Sequence, residues 1–269
     1  MDTGAYHFGF IGFGHFAEVI YASLRQAKMV KPGQVLFYKR SHHTAVSKKW
    51  GISAVSLEQL LTVSDILFLC VRPQHLTTLF SGFPRNLDLS LKLFISIIAG
   101  KKISYFLEKL GPSTQIVRVM PNIPCSIGEG MSVFSFGPEV EEKYHEVARY
   151  LFSAMGDLVE IEEKYMDIAT ALSGSSPAFI SLFIDALAKL GQEEGLSYDL
   201  ALKLVAQSFL GTAKLVQKGQ MPGELMEKIA VPGGTTEKGL QVLADRKVAE
   251  EIKKAAKATM MASKELSNG

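Results

Sequence analysis

The sequence predicts an α/β fold, with an N-terminal, Rossmann-type doubly wound sheet followed by an all-helical C-terminal domain. Short apolar runs alternate with helix-like segments in the first part of the chain, which is typical of strands and helices wound into a parallel sheet. After about residue 160 these runs almost disappear and helical periodicity continues to the end. We therefore predict two domains, 1–162 and 163–269.

The predicted strands of the first domain are apolar throughout rather than alternating with polar residues. Such runs are typical of strands that are covered on both faces. They are Tyr6–Ile11, Val35–Tyr38, Ile66–Val71, Leu93–Ile98 and Ile116–Met120. Apolar residues at helical spacing predict a helix over Ala17–Gln26, directly after the first strand.

The second domain shows a series of helical patterns. A broad apolar face runs from Phe179 to Leu190, and further helices are predicted over Leu200–Val216 and Pro222–Ile229. Thr235 or Thr236 is expected to cap a fourth helix. The last pattern, Val248–Leu266, is lysine-rich and indicates a helix with a solvated face.

Composition excludes several classes of function. The 269 residues carry 29 basic and 27 acidic side chains, and this net charge of +2 is too small for a surface that binds nucleic acid. Two cysteines, Cys70 and Cys125, are too few for a disulfide framework. The longest uninterrupted apolar runs are shorter than the ~20 residues of a membrane span, and the first residues do not resemble a secretory signal. We expect a cytoplasmic protein without a membrane partner.

Neither metal nor nucleophile chemistry is indicated by the sequence. The six histidines show no ligand spacing, and no cysteine pair accompanies them, so no metal site is expected. The two cysteines are interpreted as packed thiols.

A glycine-rich loop follows the first predicted strand and opens the first helix. It fits the pattern G-x-G-x-x-A, in which the glycines permit a tight turn and a close approach of the backbone to a pyrophosphate. The helix N-terminus adds amide donors and a positive dipole. We therefore predict a dinucleotide site whose first segment is Gly12, Phe13, Gly14, His15, Phe16 and Ala17.

The end of the second predicted strand indicates which dinucleotide is bound. An NAD site usually has an acidic residue there, to hold the ribose hydroxyls. This chain has Lys39, Arg40 and Ser41 instead, which would pair with a 2′-phosphate. An exposed basic turn is the plain alternative. We predict NADP(H), with NAD(H) as the second choice.

At this point the chain resembles the pyrroline-5-carboxylate reductase family over nearly its whole length. The resemblance is carried by ordered segments, of which Pro232–Thr236, with the sequence PGGTT, is the most specific. The other segments are Gly9–Gly14, Val71–Gln74, Arg118–Asn122, Gly128–Gly130 and Ala171–Phe179.

The resemblance implies NADPH-dependent reduction of 1-pyrroline-5-carboxylate to L-proline, the last step of proline biosynthesis, by hydride transfer to a cyclic imine. It also implies a homodimer or larger homo-oligomer assembled through the helical domain. Thr236 would be the catalytic residue, donating to the ring nitrogen or steadying a proton on it. The substrate would contact Glu163, Ser175, Gly233, Gly234, Thr235 and Thr236. The cofactor would be bordered further by Val71, Arg72, Pro73 and Ala99.

Several residues depart from the family's pattern around the two ligands. Lys228 stands where Asn is frequent, and Ala230-Val231 precede Pro232 where the family usually has a hydroxyl residue. These departures leave two alternatives open. One is a reductase of a related imine or keto acid, and the other is a non-catalytic NADP-binding regulatory paralogue.

Overall fold

The computed structural model describes residues 3–84 and 87–268, and its contacts divide the chain into two compact units. The first, here called the sheet unit, comprises Met1–Gly174 and Thr259–Gly269. The second, here called the helical unit, comprises Ser175–Ala258. The contact division falls after the predicted boundary at 162/163 and returns the end of the last helix to the sheet unit. The predicted domain boundary itself stays a prediction.

Eight strands form one sheet in the order β3-β2-β1-β4-β5-β6-β7-β8. Their bounds are β1 Phe8–Ile11, β2 Val35–Tyr38, β3 Ser53–Ala54, β4 Ile66–Leu69, β5 Leu93–Ser96, β6 Gln115–Pro121, β7 Gly130–Phe136 and β8 Gly156–Glu160. All neighbours are parallel except β6 and β7. The five predicted strands and the doubly wound sheet are confirmed, while β3, β7 and β8 were not predicted.

Helices connect the parallel strands of the sheet unit, and a last short helix follows β8. They are α1 His15–Gln26, α2 His43–Trp50, α3 Leu57–Val63, α4 Leu76–Ser81, α5 Ile103–Leu110, α6 Glu142–Ser153 and α7 Met166–Ala169. Helix α1 begins two residues before the predicted start, because Gly14 rather than a side chain forms its N-cap.

Two apolar clusters cover the two faces of this sheet. On one face the rings of Phe10 and Phe68 stack with centroids 4.6 Å apart, and on the other face Leu67 and Leu69 pack with Phe94. Successive residues of a strand point to opposite faces of the sheet. Because both faces are buried here, strands such as β4 are apolar at every position. This explains why the strand runs were readable in the sequence.

The helical unit contains α8 Ser176–Glu193, α9 Tyr198–Gln217, α10 Pro222–Ile229, α11 Thr235–Asp245 and the first part of α12 Val248–Asn268. Helices α8 and α9 lie close together, since a Cβ added at Gly191 would be 2.7 Å from the Cβ of Ala201. Tyr198 donates a hydrogen bond of 3.0 Å to Asp185, which also pairs with Lys189.

A continuous helical stretch, Glu163–Glu193, is long and apolar enough by length and composition to cross a membrane. Its most apolar window has a mean hydropathy of 1.4, and 11% of that window is buried. The core helix of a soluble protein passes the same test of length and composition, so this stretch is weak evidence for a membrane span. The expectation of no membrane partner stays a prediction.

Candidate nucleotide and substrate sites

The turn after β1 needs a glycine at its first position. Gly12 has a φ of +86°, and a Cβ there would lie 2.8 Å from Cγ1 of Val71 and 2.9 Å from the carbonyl oxygen of Cys70. The Gly12 N–H donates to the carbonyl of Tyr38 at 2.8 Å. The loop is therefore pressed between the carboxyl ends of β2 and β4, as a nucleotide-binding turn requires.

The second glycine of the loop faces open space. Gly14 is the N-cap of α1 in extended conformation, and a Cβ there would meet nothing within 4 Å. The amide N–H groups of the first turn of α1 have no carbonyl partners inside the helix. A pyrophosphate can approach these groups because no side chain at Gly14 stands in the way.

The remaining residues of the loop divide between the core and the surface. Phe13 is buried, with its ring 5.3 Å from those of both Phe10 and Phe37, so it can offer a ligand only its backbone. Ala17 is buried against the sheet. His15 is exposed at the start of α1, with its ring 6.0 Å from that of Phe16.

Basic side chains gather at the end of β2, beside the glycine loop. The Lys39 ammonium donates a hydrogen bond of 3.0 Å to the carbonyl oxygen of Phe13 and thereby ties the end of β2 to the loop. Arg40 and Ser41 are exposed next to it. A cavity of about 400 Å³ lies here, lined by Gly12, Phe13, Gly14, Tyr38, Lys39, Arg40, Ser41, Cys70, Val71, Arg72, His75 and Leu79.

This cavity brings together most of the predicted cofactor residues but not all of them. Predicted residues outside its lining are His15, Phe16, Ala17, Pro73 and Ala99. Four lining residues were not predicted, namely Tyr38, Cys70, His75 and Leu79. A usable signal existed for Cys70, because it follows β4 directly and β4 neighbours β1 in a doubly wound sheet.

Cys70 contributes no nucleophile to this cavity. Burial raises the pKa of the Cys70 thiol far above its usual range, so the thiol stays protonated at neutral pH. Burial also raises the pKa of the Cys125 thiol. Neither residue carries the thiolate that nucleophilic catalysis needs.

A second cavity, of about 570 Å³, shares the basic end of β2 with the first. Its lining is Tyr38, Lys39, Arg40, His43, Ala54, Val55, Ser56 and Gln59. Lys39 and Arg40 therefore border both cavities, so an anionic group at the junction would meet two cations. His43, the first residue of α2, brings a third basic side chain to the second cavity.

Glu163 is an anchored acid within the sheet unit. Its Oε1 atom accepts hydrogen bonds from the N–H of Ile103 at 2.7 Å and from the Arg118 guanidinium at 3.2 Å. Arg118 is buried and lies 3.8 Å from Asp167, which accepts a bond of 2.7 Å from Ser263. Glu163 thus joins the start of α5 to β6, which its position in the sequence did not indicate.

The family-like segment Ala171–Phe179 begins within a π-helical segment, Thr170–Ser175, which is followed by α8. Ser175 is the N-cap of α8, and Pro177 stands in its first turn, where a missing N–H costs nothing. The Thr170 hydroxyl donates to the carbonyl of Met166 at 2.8 Å. Single π turns inside α-helices frequently accompany functional sites.

The PGGTT turn opens α11, but its threonines do not cap that helix. The N-cap is Gly234, and no side chain bonds to it there. Thr235 and Thr236 are the first two helical residues and are exposed, with hydroxyl groups that make no hydrogen bond within the described chain. The expectation of a threonine cap is wrong, because the extended backbone that an N-cap needs falls one residue earlier, at Gly234.

Two further contacts shape this turn. Gly233 has a φ of +75°, and its N–H donates to Oε2 of Glu237 at 2.8 Å. The N–H of Gly234 donates to the carbonyl of Val231, and a Cβ at Gly234 would lie 2.9 Å from that oxygen. Both glycines are therefore required by the backbone, and the threonine hydroxyls remain free for a ligand.

The parts of the chain that the structure describes hold no group of three or more His, Cys, Asp or Glu side chains placed to bind a metal ion. The charged groups near the glycine loop are cations instead. Open space at Gly14, free amide groups at the start of α1 and the cations after β2 fit a dinucleotide with an extra phosphate.

A doubly wound sheet with this loop at the carboxyl ends of its strands places the chain in the class of NAD(P)-dependent oxidoreductases. Comparison with protein families agrees with that class. Residues 7–100 match the family described as NADP oxidoreductase, coenzyme F420-dependent, and residues 163–266 match pyrroline-5-carboxylate reductase dimerisation.

Curated relatives extend the similarity to the full length. Pyrroline-5-carboxylate reductases of Glycine max and Arabidopsis thaliana are each 34% identical, covering 99% of this chain and 98% of theirs. The solved structure of the Plasmodium falciparum pyrroline carboxylate reductase with NADP bound has a TM-score of 0.89 at 32% identity, covering 99% of both chains. The Streptococcus pyogenes 1-pyrroline-5-carboxylate reductase follows with 0.88 at 28% identity, covering 97% and 98%. This chain belongs to the pyrroline-5-carboxylate reductase family.

Proposed function

We propose that this protein reduces 1-pyrroline-5-carboxylate to L-proline with NADPH. The observation that carries the proposal is that the similarity to the reductases covers both units of this chain. It therefore includes both the nucleotide loop and the PGGTT turn. The reaction adds a hydride to the carbon of the ring C=N bond and leaves a proton on the ring nitrogen, while NADPH becomes NADP⁺.

The residues of the sheet unit would hold the cofactor. The free amide groups at the start of α1 are placed to bind the pyrophosphate, with Gly12 and Gly14 permitting its approach. Lys39, Arg40 and Ser41 would pair with the 2′-phosphate. Val71, Arg72, Pro73 and Ala99 are assigned to the nicotinamide half. When bound, the reduced nicotinamide supplies the hydride.

Most of the residues assigned to the imine acid belong to the helical unit, and Glu163 belongs to the sheet unit. The amide groups at the start of α11 attract a carboxylate, with Gly233, Gly234 and Thr235 forming its seat. The free hydroxyl of Thr236 would donate to the ring nitrogen or steady a proton on it. Glu163 and Ser175 are assigned to the border of the substrate.

No side chain needs to act as a strong general acid in this scheme. A cyclic imine can bind in its protonated form, and hydride transfer then neutralises the positive charge that the ring carries. The two cysteines take no part in this scheme, because burial raises the pKa values of their thiols and keeps them protonated.

The protein is proposed to work as a homodimer or larger homo-oligomer in the cytoplasm. Residues 163–266 match a dimerisation family, and the helices of the same region expose many large apolar side chains. Burial of such side chains against a second copy would provide the driving force for assembly.

Two other functions follow from particular residues. Val231 is 57% exposed beside the PGGTT turn, where it offers a substrate an apolar wall, and this favours a related imine or keto acid as the alternative substrate. Lys228, together with Val231, motivates the other alternative, a regulatory paralogue that binds NADP without catalysis.

The decisive experiment follows the oxidation of NADPH by its absorbance in the presence of the five-membered imine acid. We expect saturable oxidation with this substrate, slower turnover with the six-membered analogue, and a lower KM for NADPH than for NADH. Faster turnover of the six-membered ring would assign the related reductase instead. Tight NADPH binding without turnover of either imine would assign the regulatory paralogue, and a lower KM for NADH would contradict the assignment of Lys39, Arg40 and Ser41.

A further inference from the structure

A buried amide side chain fastens the π-helical segment to the end of the central sheet. Asn122 follows β6 directly and is 9% exposed. Its Nδ2 atom lies 3.3 Å from both the carbonyl oxygen and the hydroxyl oxygen of Ser173. Residues 122 and 173 are far apart in sequence, so this contact fixes the π-helical segment, Thr170–Ser175, at one point of the sheet.

The orientation of the Asn122 amide is set by its other partners. Its Oδ1 atom accepts a hydrogen bond of 2.9 Å from the N–H of Met131, a group that can only donate. The Cys125 thiol lies 3.8 Å from the same oxygen. The carbonyl half of the amide is therefore held on the β7 side, and the NH₂ half must face Ser173.

The neighbouring residue packs closely against β6. A Cβ added at Gly174 would lie 2.5 Å from Cε of Met120, a residue of β6 two positions before Asn122. A π turn also displaces carbonyl groups from the α-helical pattern, and such groups need partners outside the helix. The Asn122 NH₂ group supplies one for Ser173.

This contact is made at the edge of the sheet where ligands of such folds bind. Strands β1, β4, β5 and β6 run parallel, so the end of β6 lies at the same edge as the glycine loop after β1. The turn after Asn122, Ile123–Ile127, packs against α1, the helix that the loop opens.

We propose that Asn122 is a positioning residue of the reduction, which rests on the proposed function above. By holding Ser173, it fixes the π-helical segment from which Ser175 is presented to the substrate. It acts through Ser173 rather than by touching the imine acid or the cofactor. Its loss is expected to affect substrate use more than NADPH binding.

The test is the substitution Asn122→Asp. The carboxylate keeps an acceptor for the Met131 N–H but turns a second acceptor toward the Ser173 carbonyl, so the two oxygens repel each other. We expect kcat/KM for the imine acid to fall roughly 10- to 100-fold, since a displacement of about 1 Å can have such an effect. The dissociation constant for NADPH is expected to change by less than about threefold, which is under 1 kcal/mol.

A pH profile separates positioning from general damage to the fold. Below the pKa of the new carboxyl group, the protonated acid regains a donor toward Ser173, so the activity of Asn122→Asp relative to wild type is expected to rise as the pH falls. Ser173→Ala removes only the hydroxyl acceptor and is expected to lose less kcat/KM. Combined with Asn122→Asp it is expected to add less than the sum of the two separate losses.

The matched control is Ser132→Ala, which removes a hydroxyl 3.9 Å from the Cys125 thiol without touching Ser173. It is expected to shift the melting temperature but not the KM for the imine acid. An Asn122→Asp protein with unchanged kcat/KM would overturn the assignment. So would parallel losses of melting temperature, NADPH binding and kcat, or a flat relative pH profile. If wild-type protein oxidised no NADPH with any imine, the proposed function would fail instead, and that outcome is seen before any variant is made.

Discussion

The sheet unit and the helical unit treat their apolar side chains in opposite ways. The sheet unit buries aromatic and aliphatic residues on both faces of its sheet, with rings such as Phe10 and Phe94 fully inaccessible. In the helical unit the buried apolar residues are Ala188, Ala201 and Leu225 alone, while long side chains such as Leu182 and Leu204 are 67% and 56% exposed.

This difference teaches that the two units have different folding requirements. The sheet unit carries a core of its own, as a domain of its size can. The helical unit has too little buried apolar area to offset the conformational entropy of ordering its helices. We therefore expect its stable form to include another surface, and the match of residues 163–266 to a dimerisation family supports a homo-oligomer.

The largest expected effect tests this contrast with one substitution made in each unit. Leu204→Asp on α9 is expected to dissociate the oligomer and lower kcat roughly 100-fold or more, because a charge in an apolar interface remains unpaired. Size-exclusion chromatography with light scattering, together with NADPH oxidation, measures both effects. Leu91→Asp is the control, since Leu91 is 74% exposed on the sheet unit and is expected to tolerate the charge. If both variants kept, or both lost, their oligomeric state and turnover, the proposed difference between the exposed apolar side chains of the two units would be contradicted.

The second effect concerns the reactive hydroxyl proposed for the helical unit. Thr236→Ala is expected to lower kcat roughly 100-fold, the usual effect of removing about 3 kcal/mol of transition-state stabilisation. Because the Thr236 hydroxyl makes no bond within the described chain, the melting temperature is expected to stay unchanged. Thr235→Ala provides the comparison at the adjacent position. Unchanged turnover of Thr236→Ala would leave that residue without a catalytic role.

The third effect separates stability from cofactor binding within the sheet unit. Gly12→Ala meets both a φ of +86° and a contact of 2.8 Å, so it is expected to lower the free energy of unfolding by about 1–3 kcal/mol. Gly14→Ala has open space around its Cβ and is expected to stay stable while the KM for NADPH rises about tenfold. Thermal melts and steady-state kinetics distinguish the two. A normal KM for NADPH in Gly14→Ala would place the pyrophosphate elsewhere.

The smallest effect concerns Glu237, the acid that accepts a hydrogen bond from the PGGTT turn. Glu237 accepts a bond from the Gly233 N–H, and its charge stands at the start of α11, where the substrate carboxylate is proposed to bind. Glu237→Gln keeps an acceptor and removes the charge, so the KM for the imine acid is expected to fall about two- to fivefold, as for one charge at a helix terminus. Glu224→Gln, the corresponding third residue of α10, is the matched control. A raised KM in Glu237→Gln would show that the acid helps to hold the substrate.

Much of the nucleotide site could be predicted because its signals are local. The glycine loop is one short contiguous segment, and the residues after β2 are another. Eight of the predicted cofactor residues line one cavity. Tyr38 and His75 were missed because their positions in the cavity depend on how β1, β2 and β4 are ordered in the sheet. The cap was expected at Thr235 or Thr236 rather than at Gly234, because residue type indicates capping ability but not the residue at which the backbone becomes extended.

By itself, the sequence determined the strands of the parallel sheet, the helices of the second half and the glycine loop between β1 and α1. These features arise from periodicity and from backbone geometry that neighbouring residues dictate. Tertiary structure decided that Glu163 binds Arg118 and the start of α5, that Asn122 holds Ser173, and that the helical unit leaves its apolar side chains uncovered. Such contacts join residues far apart in the chain, and no local pattern records which distant partner will satisfy a buried polar group.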